Sequence, residues 1–521
     1  MIFLGLDSST QSLTAILIDT DTRQIIHEAS VVFDQDLSEY GTANGVLRDD
    51  DPTVVHAPPA LWVEALDLLL ANLRSDGVEL GEIAAVSGSG QQHGSVYLNE
   101  EADSRLSGLT PVLPLAEQLR PCFSRATSPI WMDSSTSSQC EEICSSLGGA
   151  AATAEATGSS TFERFTGPQI RKFYQTDAEA YAATAHIGLV SSFMASILAG
   201  RIAPIDHGDG AGMNLMDIRD KCWYSRALQA TAPGLSGRLP PLVEPWTDLG
   251  AIAGYFVEKY GFHARTRVIT WSGDNPNSVA GVGLVEPGRV AISLGTSDTY
   301  FGTMAMCSTD PQGEGHVFGS PTGDYMTLIC FKNGSLAREK IRDAHQLDWA
   351  GFSEALRATP PGNDGKMMLP WFEPEIVPRV VVPGAHRRGL DESDGPGNCR
   401  AVVEAQMISM RIHSEWMGIR PTRIYATGGA SANLEILQIM ADVQGCPVCR
   451  SDVSNSAALG AALRAAHGFF KWKGEAPEWK ALVADFTDPV ADFTIMPDSN
   501  MQKRYDRQVE SYRDFEKNSI R

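Results

Sequence analysis

Asp274 stands in Ser272-Gly273-Asp274-Asn275-Pro276, just after the apolar run 267–271. A carboxylate at a strand end beside a glycine can reach a ligand held between two domains, and its chemistry would be proton removal from a hydroxyl. Asp133, Asp206 and Asp209 are rivals on residue type alone, each in a context where aspartate commonly closes a turn. Gln92 and His93 lie in Gly90-Gln91-Gln92-His93-Gly94, a tight group of donors and acceptors at a strand end. A lone histidine is more often structural, but Gln-Gln-His between glycines is harder to explain that way. Arg164, in Phe162-Glu163-Arg164-Phe165, reads equally as a surface pair or a ligand clamp.

Asp7 closes the apolar run 2–6 and is followed by Ser8-Ser9-Thr10-Gln11-Ser12. It either caps a turn or sits beside a divalent cation. The second reading gains from a repeat of the design: the apolar run 290–294, then Gly295-Thr296-Ser297, then a second strand from Asp298. Two hydroxyl-lined hairpin turns can clamp phosphates through backbone N–H groups and side-chain hydroxyls, with glycine permitting close approach. A carboxylate would not touch those phosphates, so Asp7 belongs with an ion that bridges them, through water if the ion is Mg²⁺. Gly428-Gly429-Ala430 breaks the strand 423–426 ahead of a helical run. Such a turn can receive a flat ligand or a phosphate, although glycine pairs there are common. No G-x-x-x-x-G-K-[ST] is present, which excludes a P-loop. Gly281-x-Gly283 precedes a strand, the wrong order for a dinucleotide fingerprint. Cys446-Pro447-Val448-Cys449 has redox spacing but follows a helix instead of opening one.

These residues need strand ends to hold them. The sequence predicts strands over 2–6, 13–18, 24–33, 83–87, 130–133, 267–271 and 423–426, and helices over 61–74, 187–200, 278–285, 399–417 and from 501. Residues 109–129 read as proline-dotted connection, 206–210 as a turn and 386–398 as a charged loop. Alternating strands and helices make an α/β architecture. At 521 residues the chain exceeds one core, and the repeated hairpin divides it into two domains, 1–270 and 271–521.

A net charge of −22 argues against a groove for nucleic acid and against anionic membranes, without excluding a small polyanion. Nine scattered cysteines suit reduced thiols and a cytoplasmic protein, and the start MIFLGLD lacks a basic signal region.

LGLDSSTQSLTAILID, SGSGQQHGSVY, SPIWMDSSTSSQC, FERFTGPQIRKFYQ, WSGDNPNSVAGVG, AISLGTSDTYFG and YATGGASANLEILQIMADVQGCPV occur in this order. Together they resemble the FGGY carbohydrate kinase family over nearly the whole chain. GQQHGS and the RFTG stretch favour the branch acting on D-xylulose over other ketose or polyol kinases such as those for ribulose or glycerol. A non-kinase ATPase with the same hairpins remains the other alternative. The resemblance implies two actin-like (ribonuclease H-like) domains flanking a catalytic cleft, and ATP, Mg²⁺ and a small sugar as ligands; a homodimer is compatible with it. It implies Asp274 as the base and Gln92, His93, Arg164, Asp274 and Asn275 as sugar-holding residues. Asp7 falls to the metal. Thr10, Gly295, Thr296, Ser297, Gly428, Gly429, Ala430 and Asn433 fall to the nucleotide. Ser135 stands where many relatives have Arg, and Gln175 where Trp is usual after Lys172.

Overall fold

The computed structural model describes residues 1–451, 454–489 and 493–520. The chain forms two units. The first contains Met1–Val285, Val317–Met326 and Val453–Thr487; the second contains Glu286–His316, Thr327–Asp452 and Asp488–Arg521. A single division at residue 270 does not describe this grouping, because two later segments belong with the first unit.

The first unit is built on β1 (Ile2–Ser8), β2 (Ser12–Asp19), β3 (Gln24–Val32), β4 (Ile83–Gly90), β5 (Asp248–Ala251), β6 (Arg267–Ile269) and β7 (Ser272–Gly273). The sheet runs β5-β6-β4-β1-β2-β3, with β7 also paired to β4. β1 is antiparallel to β2 and parallel to β4, which is itself parallel to β7. Register sets Asp7 opposite Ser89, and Ser89 opposite Ser272. The ends of three parallel strands therefore deliver Asp7, the Gln91–His93 turn and Asp274 to one edge, where open α/β sheets bind ligands.

Period-two alternation divides β1 between two cores. Leu4 and Leu6 join Leu13, Leu17 and the apolar side of the Pro59–Ser75 helix. Phe3 joins Ile16, Ile18 and Leu459, Ala462 and Leu463 of the Ser456–Trp472 helix. That helix also presses on Asp274–Gly281. A Cβ on Gly281 would lie 1.8 Å from the Ser456 carbonyl oxygen, and one on Gly460 1.9 Å from that of Asn277. Only glycine allows this crossing, and it fixes the helix whose first residue is Asp274.

In the second unit the strands of the main sheet lying wholly within the unit are β8 (Arg289–Leu294), β9 (Asp298–Met304), β10 (Arg423–Thr427), β11 (Val448–Arg450) and β12 (Thr494–Ile495). They run β9-β8-β10-β11-β12. β8 is antiparallel to β9 and parallel to β10, repeating the relation of β1 to β2 and β4. The hairpin inferred at 290–302 is thus present.

Other expectations need correction. Residues 130–133 form a turn, with the Asp133 N–H on the Ile130 oxygen at 2.9 Å; the strand is Ser128–Pro129. The Asp133 carboxylate is held by Val55, Ser135 and Gln169, which suits a turn and not an extended run. Residues 109–129 include the Leu115–Leu119 helix. The 206–210 turn is a short helix, His207–Ala211, capped by Asp206 accepting from the Asp209 N–H at 2.9 Å. The helix predicted over 278–285 begins four residues earlier, at Asp274. The 386–398 loop holds part of the Gly384–Arg388 strand and the start of the Gly395–His413 helix.

Candidate active site

Asp274 opens its helix directly after β7, where a negative charge is favoured by the helix dipole. Its Oδ1 accepts from the Gln92 N–H at 3.3 Å, the Asn275 N–H at 2.8 Å and the Asn275 amide nitrogen at 3.1 Å. Oδ2 takes no partner among the described residues. One oxygen is thus anchored and the other is left for a ligand. The surrounding protein strips water from the carboxyl and pushes its pKa up to about 6, against the pull of the Asn275 and Gln92 amides. It remains largely ionised at neutral pH yet is far more basic than an exposed aspartate, as a general base should be.

Asp7 projects from the end of β1, and Ser89 donates to its Oδ1 at 2.5 Å. Loss of hydration raises it to about 7; the Ser89 hydroxyl opposes this and the nearby Asp274 charge adds to it. A carboxylate so placed, with no cation beside it among the described residues, fits a site for a bound cation. Among the described residues no group of three or more His, Cys, Asp or Glu side chains makes a cage for a metal. An ion at Asp7 would have to arrive with further ligands of its own.

His93 is buried and takes φ +74°, an uncommon conformation for a residue with a side chain. Its Nδ1 lies 2.8 Å from the Gly212 oxygen, so Nδ1 carries the proton and Nε2 is left as an acceptor. Burial, with the Arg164 charge beside it, pushes its pKa down to about 3, so the ring is neutral at working pH. The ring packs on Phe165 at 4.7 Å, and the Arg164 guanidinium lies over Phe162 and Phe165. Gln92 accepts from Asn275 at 2.9 Å through Oε1, while its Nε2 is buried without a partner among the described residues. Gln92, Asp274 and Asn275 are therefore one hydrogen-bonded group; His93 follows Gln92 in the chain, with the Arg164 charge beside it.

Asp209, earlier a rival base, is buried; burial pushes its carboxyl well up despite the Ser191 hydroxyl bonded to it. Asp206 is tied to Ser272 at 2.8 Å and to Arg464 at 3.1 Å. Neither has the arrangement of Asp274, with one oxygen anchored by three donors and the other open. Thr10 donates to Gln91 at 3.2 Å and accepts from the Trp131 indole at 2.9 Å, so its hydroxyl is committed within the first unit.

In the second unit the Gly295-Thr296-Ser297 turn adjoins the Ser335–Ala344 helix, whose Ser335 N–H donates to the Gly295 oxygen at 2.8 Å. Thr296 is exposed, and neither its hydroxyl nor that of Ser297 has a hydrogen-bond partner among the described residues. Gly428 has φ +81°, and a Cβ there would lie 2.7 Å from the Leu294 oxygen. Gly429, Ala430 and Asn433 line a cavity of about 740 Å³ with Ser335, Trp349 and Ser353. Asn433 caps the Leu434–Gln444 helix through Oδ1 and donates to Ser353 at 2.9 Å. Trp349 and Ser353 carry no sequence motif; they come to the cavity only through packing of the Trp349–Ala358 helix.

Residues 122–281 match the N-terminal domain model, and 290–469 the C-terminal domain model, of the FGGY family of carbohydrate kinases. The chain is 46% identical over 476 residues to a xylulose kinase of Rattus norvegicus, covering 89% of this chain and 88% of that protein. It is 46% identical over 493 residues to xylulose kinase 2 of Arabidopsis thaliana, covering 90% and 87%. The chain belongs to the FGGY family of carbohydrate kinases. Membership makes it an ATP-dependent carbohydrate kinase. The crystal structure of a xylulose kinase from Rhodospirillum rubrum shares the fold, with TM-score 0.81 and 20% identity over 99% of this chain and 98% of that one.

For an FGGY kinase, Ser135 and Gln175 are departures, and the structure shows how each is used. Ser135 donates to Asp133 at 2.5 Å and accepts from the Lys172 ammonium at 2.6 Å. Burial would raise Asp133, but hydrogen bonds from His56, Ser135 and Gln169 outweigh it and hold the carboxyl well below the usual range. Gln175 bonds Gln139 and Glu142. Sequence reading missed Ser89 as the partner of Asp7, a contact legible only from strand register.

Proposed function

We propose that this kinase transfers the γ-phosphoryl group of ATP to the O5 hydroxyl of D-xylulose, giving D-xylulose 5-phosphate and ADP. The observation that carries the reading is Asp274, with one oxygen fixed by three donors and the other open beside Gln92, His93 and Asn275. The xylulose kinase relatives support the choice of sugar.

Gln92 Nε2 and the Arg164 guanidinium offer donors to the sugar, and His93 Nε2 an acceptor. Asp274 Oδ2 takes the proton of the attacking hydroxyl as the phosphorus–oxygen bond forms, and the electron pair of the breaking bond leaves with ADP. Phosphoryl transfer asks mainly for alignment and charge neutralisation. In the second unit, Gly429, Ala430 and Asn433 would receive the adenosine, and the Gly295–Ser297 turn the phosphates. Asp7 would hold a Mg²⁺ ion through water, and when bound the ion would neutralise phosphate charge. The actin-like description of both units, with their repeated hairpins, belongs to this proposal.

The test is ADP release, coupled to a spectrophotometric readout, across xylulose, ribulose, glycerol and gluconate. We expect the highest kcat/KM on xylulose and a phosphate on O5 of the product. Preference for ribulose or glycerol would move the enzyme to another branch, and ADP release indifferent to every sugar would overturn the kinase reading.

A further inference from the structure

The second unit holds another cavity, of about 540 Å³, that shares no residue with the nucleotide cavity. Four cations line it: Arg388, Lys503, Arg504 and Arg507. In a chain with 64 acidic and 42 basic residues, cations should find carboxylates easily. On the same helix, Gln502–Ser519, Arg513 pairs with Glu415, and Asp506 pairs with Arg411. None of the four cavity cations is in an ion pair among the described residues, and the lining offers one carboxylate, Asp364, against them.

The placement also runs against helix electrostatics. The helix has no acidic residue in its first turn and no side-chain cap. Lys503 and Arg504 stand at that positive end, where anions are favoured. Positions 503, 504, 507, 508 and 511 share one helical face, and that face is the cavity wall. Two of the guanidiniums are already anchored by backbone: Arg388 donates to the Ser511 oxygen at 2.8 Å, and Arg504 to that of Pro361. Anchoring lowers the ordering cost of binding a ligand.

Gln508 adds an independent constraint. It is 7% exposed, and its Nε2 donates to Glu404 at 3.0 Å, which fixes which way the amide points. Its Oε1 is buried with no partner among the described residues, and lies 3.1 Å from where a Cβ on cavity-lining Gly362 would stand. A buried acceptor without a donor is costly, and an anion cannot supply one. A hydroxyl can.

We infer that this cavity is a binding site for a phosphorylated polyol, its phosphate among Arg388, Lys503, Arg504 and Arg507 and a hydroxyl on Gln508 Oε1. The volume suits a sugar phosphate, the chemical class of the product proposed above, although the site does not depend on that assignment. The test measures reductive methylation of Lys503 in the full chain, by peptide mass spectrometry, with ribose 5-phosphate, inorganic phosphate or ribose present. Ribose 5-phosphate should slow labelling at least fivefold at concentrations where inorganic phosphate slows it less than twofold. Lys503→Glu with Arg507→Glu should weaken calorimetric binding of ribose 5-phosphate at least tenfold, leaving kcat/KM for sugar and ATP unchanged in its absence. The single variant Arg507→Gln, milder in charge, should weaken it by a smaller factor. Equal protection by inorganic phosphate, which would mean an adventitious ion only, overturns the proposal. So does unprotected Lys503 at millimolar ribose 5-phosphate, because that readout places any binding elsewhere.

Discussion

The first hairpin and its repeat each carry an aspartate, and the molecule treats the two in opposite ways. Asp298, the first residue of β9, is buried and meets Arg338 through two bonds, at 2.8 and 3.0 Å. Arg338 is itself held by Gln406 and Ser335. Asp7, at the end of β1, has a serine hydroxyl and, among the described residues, no cation. An acid neutralised inside the protein is scaffold. One left to be neutralised from outside is available for a ligand, and Asp274, in the same unit as Asp7, is of that second kind.

Substitutions should separate the two kinds. Asp274→Ala should lower kcat by about 10²–10⁴-fold, the usual value of a positioned base, with ADP affinity unchanged by titration. Weakened ADP binding would mean that Asp274 serves structure. Asp298→Asn should destabilise the protein by about 3–5 kcal/mol in denaturant unfolding, because it leaves Arg338 buried without its counter-charge. Asp7→Asn should do the reverse: turnover falls at least about tenfold, the effect of losing one charge-assisted contact, while the thermal midpoint holds or rises. If Asp7→Asn unfolds the protein as Asp298→Asn does, the distinction between the hairpins fails.

Acidity sharpens the same contrast. Asp274 and Asp7 are raised to about 6 and about 7, so between pH 4 and 7 the folded protein binds more protons at these groups than the unfolded chain. Their contribution to stability is therefore greatest below pH 4 and is lost as pH rises toward 7; Asp7→Asn should flatten that slope. Activity moves the other way, with kcat/KM falling as pH drops through about 6 and Asp274 protonates. His93, held near 3, should add no step to the sugar KM between pH 5 and 8. The smallest effect is expected from Thr10→Val, about fivefold or less in kcat/KM, since its hydroxyl bonds Gln91 and Trp131.

Sequence alone made both hairpins legible, because apolar runs broken by hydroxyl residues are local patterns. Asp274 and the Gly428-Gly429 turn were visible for the same reason. The strand expected at 130–133 failed because Asp133 is fixed by partners distant in sequence, among them Val55 and Gln169. The pairing of Asp7 with Ser89 depends on which strands are neighbours, and residue spacing carries no such information. Trp349 and Ser353 reach the cavity lined by Gly429, Ala430 and Asn433 by tertiary packing, again without a local signal.

The Ser456–Trp472 helix lies against Phe3, Ile16 and Ile18, residues that precede it by more than 400 positions. On a ribosome adding about 5–20 residues per second, that face of the first sheet stays uncovered until this helix has emerged. The second unit's strands up to Val448–Arg450 are translated in the interval. Folding of this sheet is thereby tied to synthesis of residues 456–472, and a chain released before them exposes an apolar sheet face.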